Sequence, residues 1–301
     1  MRDTVRSRGL PEPLPDCWEE GPSRVAWDRA LLVHCYVFGT IFFTVVLYAV
    51  RNLVKLCRTQ MRKSKNYFIC IAMLICMFGL TRTLMLLTDS YSTGRPFHVT
   101  PGYGLILLSL GYPCLTSGFF LINWSLVEVT KLQLLPSFIY KRKVLALVIV
   151  THFVVVVTFD TIFLFFPSTY VLLFICRSLF VLWGILLFGG FIVAAIRIRS
   201  QVERTLRNMN PINNIDNTAT TGNKSRLKQA RCMKVTKVAR CAAVTGLLIC
   251  CTQIYILWEF YVFHNNGTVP KAWPWWTYKT CFRCIEVFMV YQMLLVIRPK
   301  K

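Results

Sequence analysis

Seven apolar blocks, each about the 20 residues that a helix needs to cross the hydrocarbon of a bilayer, set the limits of what this chain can fold into. They run Ala30–Val50, Tyr67–Leu87, Leu105–Val127, Val144–Phe166, Val171–Ile196, Cys241–Val262 and Trp276–Ile297. A soluble protein with a very large core would not segregate its apolar residues this way. The expected fold class is all-α: a polytopic membrane protein whose residues 30–297 form a seven-transmembrane-helix bundle. Residues 1–29 hold Pro11, Pro13, Pro15 and Pro22 among charged residues and read as a disordered extracellular tail.

The distribution of positive charge gives the orientation. Of the 35 Lys and Arg, 24 fall in four segments that share one side: Arg51–Lys65, Lys131–Lys143, the long basic loop 197–240 and the tail 298–301. Eight fall on the other side, and only Arg82, Arg177 and Arg283 lie within spans. Basic residues collect on the cytoplasmic face, so the N-terminus is expected outside. The net charge of +22 therefore reports topology and attraction to anionic inner-leaflet lipids, and no nucleic acid is implied. In the 197–240 loop an Asn/Thr-rich middle, NMNPINNIDNTATTGNKS, reads as disordered, and its basic flanks read as inward extensions of the fifth and sixth helices.

The third span carries more polar side chains than the others and is expected at the centre of the bundle. At 100° per residue, Gly104, Gly111, Gly118 and Ser125 share one face, where missing side chains let another helix approach. Ser109, Tyr112, Thr116 and Asn123 form a second stripe, and neither stripe suits lipid. Pro113 leaves the Ser109 carbonyl without its helical partner. Glycine and Pro113 are thus read as packing features of this central helix.

Six ionisable residues lie within spans away from the inner ends: Arg82, Asp160, Arg177, Glu259, Arg283 and Glu286. The helical rise puts Arg82, Asp160, Arg177 and Arg283 each roughly 9–10 Å below the outer boundary. An unpaired charge near a helix centre costs about 2.5–3.5 kcal/mol on insertion scales, so these groups are expected paired or hydrated. Asp160 and Arg177 are the first pair the sequence suggests, since a tight turn joins their helices. Arg283 and Glu286, one turn apart, can pair within their own helix. The six form either an outward-facing polar cavity for a ligand or an ion-pair layer fixing helix register.

Catalytic and cofactor chemistry finds no support. His34, His98, His152 and His264 are scattered, so no metal or haem set converges. Cys281 and Cys284 make a CFRC within the seventh span, which alone on an apolar helix points to packing. No phosphate loop, GxSxG or serine triad is present, and Lys279 lies too near the outer edge for a retinal linkage. An enzyme is not expected, nor a cofactor or metal. Asn266-Gly267-Thr268 is a glycosylation sequon on the predicted outer side, and Trp273, Trp275, Trp276 and Tyr278 beside it read as an interfacial aromatic belt.

Seven spans with the N-terminus outside resemble the topology of G-protein-coupled receptors. The motifs of the commonest receptor class do not follow: the third span ends LVEVTK, and the seventh reads VFMVYQMLLVIRP without Asn-Pro-x-x-Tyr. The segments VAWDRALLVHCYVFGTIFFTVV, LTRTLMLLTDSY and GYPCLTSGFFLINWSL are similar to the first three spans of proline-rich transmembrane proteins 3 and 4. That resemblance implies a multi-pass membrane protein and transfers no ligand or catalytic residue. The expected function is a non-enzymatic, orphan receptor-like protein of the plasma membrane or endomembranes, with an unknown ligand and a cytoplasmic signalling partner. The alternative is a channel, transporter or trafficking accessory. A transport path must be polar to the inner face, where the sequence offers His152, Asn123 and Glu128, which favours the receptor-like reading.

Overall fold

In a computed structural model of the chain, the described residues are 22–58, 65–88, 91, 103–130, 142–166, 170–209, 219–266 and 271–297. They form seven helices: α1 (Pro22–Arg58), α2 (Lys65–Thr88), α3 (Tyr103–Thr130), α4 (Arg142–Phe165), α5 (Tyr170–Met209), α6 (Ala219–Asn266) and α7 (Ala272–Ile297). Each contains a stretch long and apolar enough to cross a membrane. In lipid a helix satisfies its own backbone, and Thr40, Thr88, Thr161 and Thr245 turn their hydroxyls back onto carbonyls four residues earlier.

Three helices are far longer than their apolar blocks, and the inward extensions of α5 and α6 are those expected of the basic flanks. α1 starts at Pro22 rather than Ala30, so residues 22–29 of the expected disordered tail are helical. Proline suits a first turn, where its missing N–H would have no helical partner. Trp27 then anchors this turn, buried and donating to the Ala272 carbonyl at 3.2 Å. Residues 1–21 lie outside the described ones, as does 210–218 of the Asn/Thr-rich loop. The ends of that stretch, 208–209 and 219–225, are helical, because α5 and α6 extend to 40 and 48 residues.

α3 packs against α2, α4, α5, α6 and α7 and is the central helix. Its two polar stripes are therefore covered by other helices: Gly104, Gly111, Gly118, Ser109 and Thr116 are buried, with Tyr112 and Asn123 half-buried. α7 closes the bundle against α1, α2, α3 and α6, whereas α4 touches α3 and α5 at the periphery. Phe42 meets Phe78 edge-on between α1 and α2, and Phe119 meets Phe191 between α3 and α5. Outward-facing Val33, Phe43, Leu147, Val154, Ile185 and Trp258 present the apolar surface that lipid covers. The end at which α1, α3, α5 and α7 begin is called the N-terminal end below.

Candidate functional site

Near the N-terminal end, Glu286 of α7 lies between Arg82 of α2 and Arg283 of its own helix. Its Oε1 accepts from Arg82 Nε at 3.0 Å and Nη2 at 2.7 Å, and its Oε2 accepts from Arg283 Nη1. Arg82 and Glu286 are 0% exposed and Arg283 1%. The third Arg82 nitrogen, Nη1, crosses to α3 and donates to the carbonyls of Leu108 at 2.7 Å and Leu107 at 3.4 Å. Phe78 and Tyr112 flank the same guanidinium, each ring centre 5.1 Å from Cζ.

The glycine stripe is what lets Arg82 reach α3. A Cβ on Gly111 would sit 2.5 Å from Arg82 Cζ and 2.7 Å from both Nη atoms. Gly111 therefore makes room for a guanidinium rather than for a helix backbone, which revises the sequence reading of this position. Pro113 acts nearby: it withholds the N–H that Ser109 would have bonded, and Ser109 stands one and two residues from the Leu108 and Leu107 carbonyls that Arg82 caps. Gly118, one heptad on, has the thioether end of Met293 against it, and α7 approaches there.

Arg283 extends the network toward the N-terminal end. Its Nε donates to the Tyr91 hydroxyl at 3.0 Å, and its Nη2 lies 3.9 Å from Met85 Sδ. The Tyr91 oxygen is also 2.9 Å from His34 Nε2, and His34 Nδ1 is 3.0 Å from Thr280 Oγ1. Arg283 can only donate, so the tyrosine proton goes to His34 Nε2 and the imidazole proton sits on Nδ1 toward Thr280. Burial pushes the Tyr91 phenol above its usual range, with the Arg283 charge opposing, so it keeps the proton this chain of bonds requires. Tyr91 has a left-handed backbone, φ 55°, which costs a bulky residue about 1–3 kcal/mol and persists only where surroundings hold it. Edge contact with Trp275 at 5.3 Å and the bonds to His34 and Arg283 supply that hold.

The six ionisable residues divide into three groups rather than one layer. Arg82, Arg283 and Glu286 form the triad. Asp160 of α4 is buried, bonds the Ser109 side chain of α3 and feels the positive charge of Arg177 on α5. Glu259 of α6 is half-buried beside Tyr255, remote from the triad in these contacts. Asn266 is the last residue of α6. Cys281 and Cys284 are exposed on α7, and among the described residues no group of three or more His, Cys, Asp or Glu could hold a metal ion.

Several site residues escaped the sequence reading. Lys279 is buried, its Nζ 5.1, 5.3 and 5.5 Å from the rings of Tyr91, Trp275 and Tyr278. Trp275 is core rather than interfacial belt, 7% exposed and packed on Trp27. The half of the bundle beyond the triad is also more polar than the sequence reading allowed. Asn52, Ser117, Thr245 and Gln292 are buried there, with Thr245 donating to Gln292 Oε1 at 3.4 Å. Asn52 Nδ2, Ser117 Oγ, Asn123 Oδ1 and Gln292 Nε2 have no hydrogen-bond partner among the described residues. Uncharged amides and hydroxyls inside apolar helices give little sequence signal, which is why Asn52, Ser117, Thr245 and Gln292 were passed over.

A comparison with curated proteins returns no match. The family model of the Proline-rich transmembrane protein 3 domain matches residues 8–300, so the resemblance carried by the first three spans extends through α7. The chain is an integral multi-pass membrane protein and belongs to the Proline-rich transmembrane protein 3 domain family.

Proposed function

We propose that this chain is a non-enzymatic, orphan receptor-like membrane protein, its N-terminus outside and its basic segments facing a cytoplasmic signalling partner. One observation carries the reading: an unbroken path of polar contacts runs Thr280–His34–Tyr91–Arg283–Glu286–Arg82–Leu108, from the N-terminal end into the central helix. A receptor needs an element with two arrangements that an external ligand can bias. Tyr91, left-handed in its backbone and held by Arg283, His34 and Trp275, is the movable link. When it leaves Arg283, the outward-facing polar cavity expected from the sequence opens over the triad, and Arg82 transmits the change to α3.

G-protein dissociation measured across a panel, in cells displaying the protein at the surface, tests this. Tyr91→Phe keeps the ring and removes the hydroxyl, so ligand-independent coupling should change from the wild-type level for at least one G protein. Equal signals from wild type and Tyr91→Phe, both well displayed and both at background, would count against a receptor.

The channel or transporter reading is favoured by a different observation, the partnerless polar atoms of Asn52, Ser117, Asn123 and Gln292 beyond the triad. Buried polar groups of this kind are ordinarily hydrated, and water in both halves would make a path. Cysteines placed at 117 and 292 should react with aqueous thiol reagents from both faces if ions pass. Reaction from neither face leaves the receptor-like reading in place.

A further inference from the structure

The two arginines of the triad turn the same edge of the guanidinium toward very different partners. Nε and Nη2 lie side by side with parallel N–H bonds, the pair that a carboxylate fits with its two oxygens. Arg82 aims this edge at a carboxylate, reaching Glu286 Oε1 at 3.0 and 2.7 Å. Arg283 aims it at the Tyr91 hydroxyl, 3.0 Å away, and at Met85 Sδ, 3.9 Å away. Both partners are neutral, and a thioether is a weak acceptor. A guanidinium only 1% exposed thus holds its best anion-binding edge against poor acceptors, while Glu286 is divided between two cations. Lys279 adds positive charge to the same place, buried with its Nζ 5.1 Å from the Tyr91 ring.

We propose that the ligand of the receptor-like site is a small aromatic carboxylate that takes the place of the Tyr91 side chain on the Nε and Nη2 edge of Arg283. The inference rests on the receptor-like reading, in which Tyr91 is the link that moves. Tyr91 itself marks the shape of the ligand. Its ring stands edge-on to Trp275 at 5.3 Å and 5.9 Å from the ring of His34, and its polar tip meets Arg283. An aryl ring bearing a carboxylate keeps these ring contacts and supplies two charged acceptors, whose bonds to a guanidinium are roughly twice as strong as neutral ones. Trp276 Nε1 is a further donor in this neighbourhood: it is buried, has no hydrogen-bond partner among the described residues, and belongs to a ring 6.2 Å from that of His34. A phosphate fits less well. Its third oxygen and second charge call for more donors, and what surrounds Arg283 is the rings of Tyr91 and Phe282 and the thioether of Met85.

Saturation-transfer NMR on the full chain in phosphatidylcholine nanodiscs tests this, with empty nanodiscs as the blank. The probes are benzoate, phenylacetate and 3-phenylpropionate, each compared with its neutral amide and with hexanoate. At least one of the acids should bind about tenfold or more tighter than its amide. Tyr91→Phe removes the hydroxyl with which the acid competes, so the same acid should bind about tenfold tighter to a variant that is itself less stable. Arg283→Lys keeps the charge without the fork and should lose most of the binding. Acids that bind no better than their amides, or an affinity that Tyr91→Phe leaves unchanged, would overturn the proposal. Hexanoate bound as tightly as the best aryl acid would overturn its aromatic part. Coupling that changes in Tyr91→Phe without any acid binding would refute the ligand class alone, whereas acid binding without any G-protein signal would uphold the site and count against the receptor-like reading.

Discussion

Gly111→Ala separates a slot for a guanidinium from ordinary helix packing. The added Cβ would lie 2.5 Å from Arg82 Cζ, and relaxed carbon contacts begin near about 3.5 Å, so the guanidinium must withdraw by roughly 1 Å. Arg82 has little slack, because Nη2 is 2.7 Å from Glu286 and Nη1 is 2.7 Å from the Leu108 carbonyl. Stretching both past hydrogen-bond range forfeits charge-assisted bonds worth about 1.5–3 kcal/mol each, against a gain near 1 kcal/mol for alanine over glycine in a helix. The net expectation is a loss of about 2–5 kcal/mol, or roughly 3–10 °C of thermal stability for a chain of this size. The measurement is the monomer peak of detergent-solubilised protein after heating. In an Arg82→Leu background the obstruction is gone and Glu286 keeps Arg283, so Gly111→Ala should become neutral or stabilise by up to about 1 kcal/mol. An equal loss in both backgrounds would falsify the slot, since Gly111 would then be abutting something other than Arg82.

Gly118→Ala should behave differently in the same assay: its new Cβ meets the flexible end of Met293, which can rotate away, so the loss stays below about 1 kcal/mol and vanishes with Met293→Ala. Glu286→Gln leaves two buried guanidiniums without their counter-charge and should destabilise by about 3–5 kcal/mol, read as loss of the monomer peak. Glu286→Gln combined with Arg82→Leu should recover part of that, because only one cation is then left over. Tyr91→Phe removes the acceptor of Arg283 and the donor to His34 and should cost about 1.5–3 kcal/mol in thermal stability, with no change expected if Tyr91 is an idle surface residue. Asn266→Gln should abolish any glycosidase-sensitive mobility shift if the α6–α7 connection faces the lumen or exterior, while a shift that survives the substitution would place the sugar elsewhere.

The hydropathy of the chain made the seven helices legible, because a span of about 20 apolar residues has few soluble explanations. The central place of α3 was legible too, since two polar stripes on one span need covering on both sides. What the sequence did not carry was the pairing. Arg283 and Glu286 share a helix and are found by spacing, but Arg82 reaches Glu286 across 204 positions. That contact depends on how α2 is rotated against α7, which periodicity alone does not determine. Tyr91 was hidden for another reason. It stands between α2 and α3, and its importance comes from a left-handed backbone and from partners on α1 and α7, none of which leaves a local pattern.

The triad also bears on why such a site is built from charge at all. A buried ion pair adds little stability over well-packed apolar side chains of the same volume, and two arginines sharing one carboxylate leave a formal positive excess that is harder still to bury. Here the excess is spread. The rings of Phe78 and Tyr112 lie over Arg82, those of Tyr91 and Phe282 lie near Arg283, and two α3 carbonyls take up the remaining Arg82 donor. These partners are spread over α2, α3, α7 and the α2–α3 connection, so a shift of one element against another changes the balance between the two arginines for Glu286. A hydrophobic replacement of the triad could hold the helices together, but it would not link Tyr91 to the Leu108 carbonyl of the central helix. That linkage is what the proposed function requires, and it is the property that Arg82, Arg283 and Glu286 contribute beyond packing.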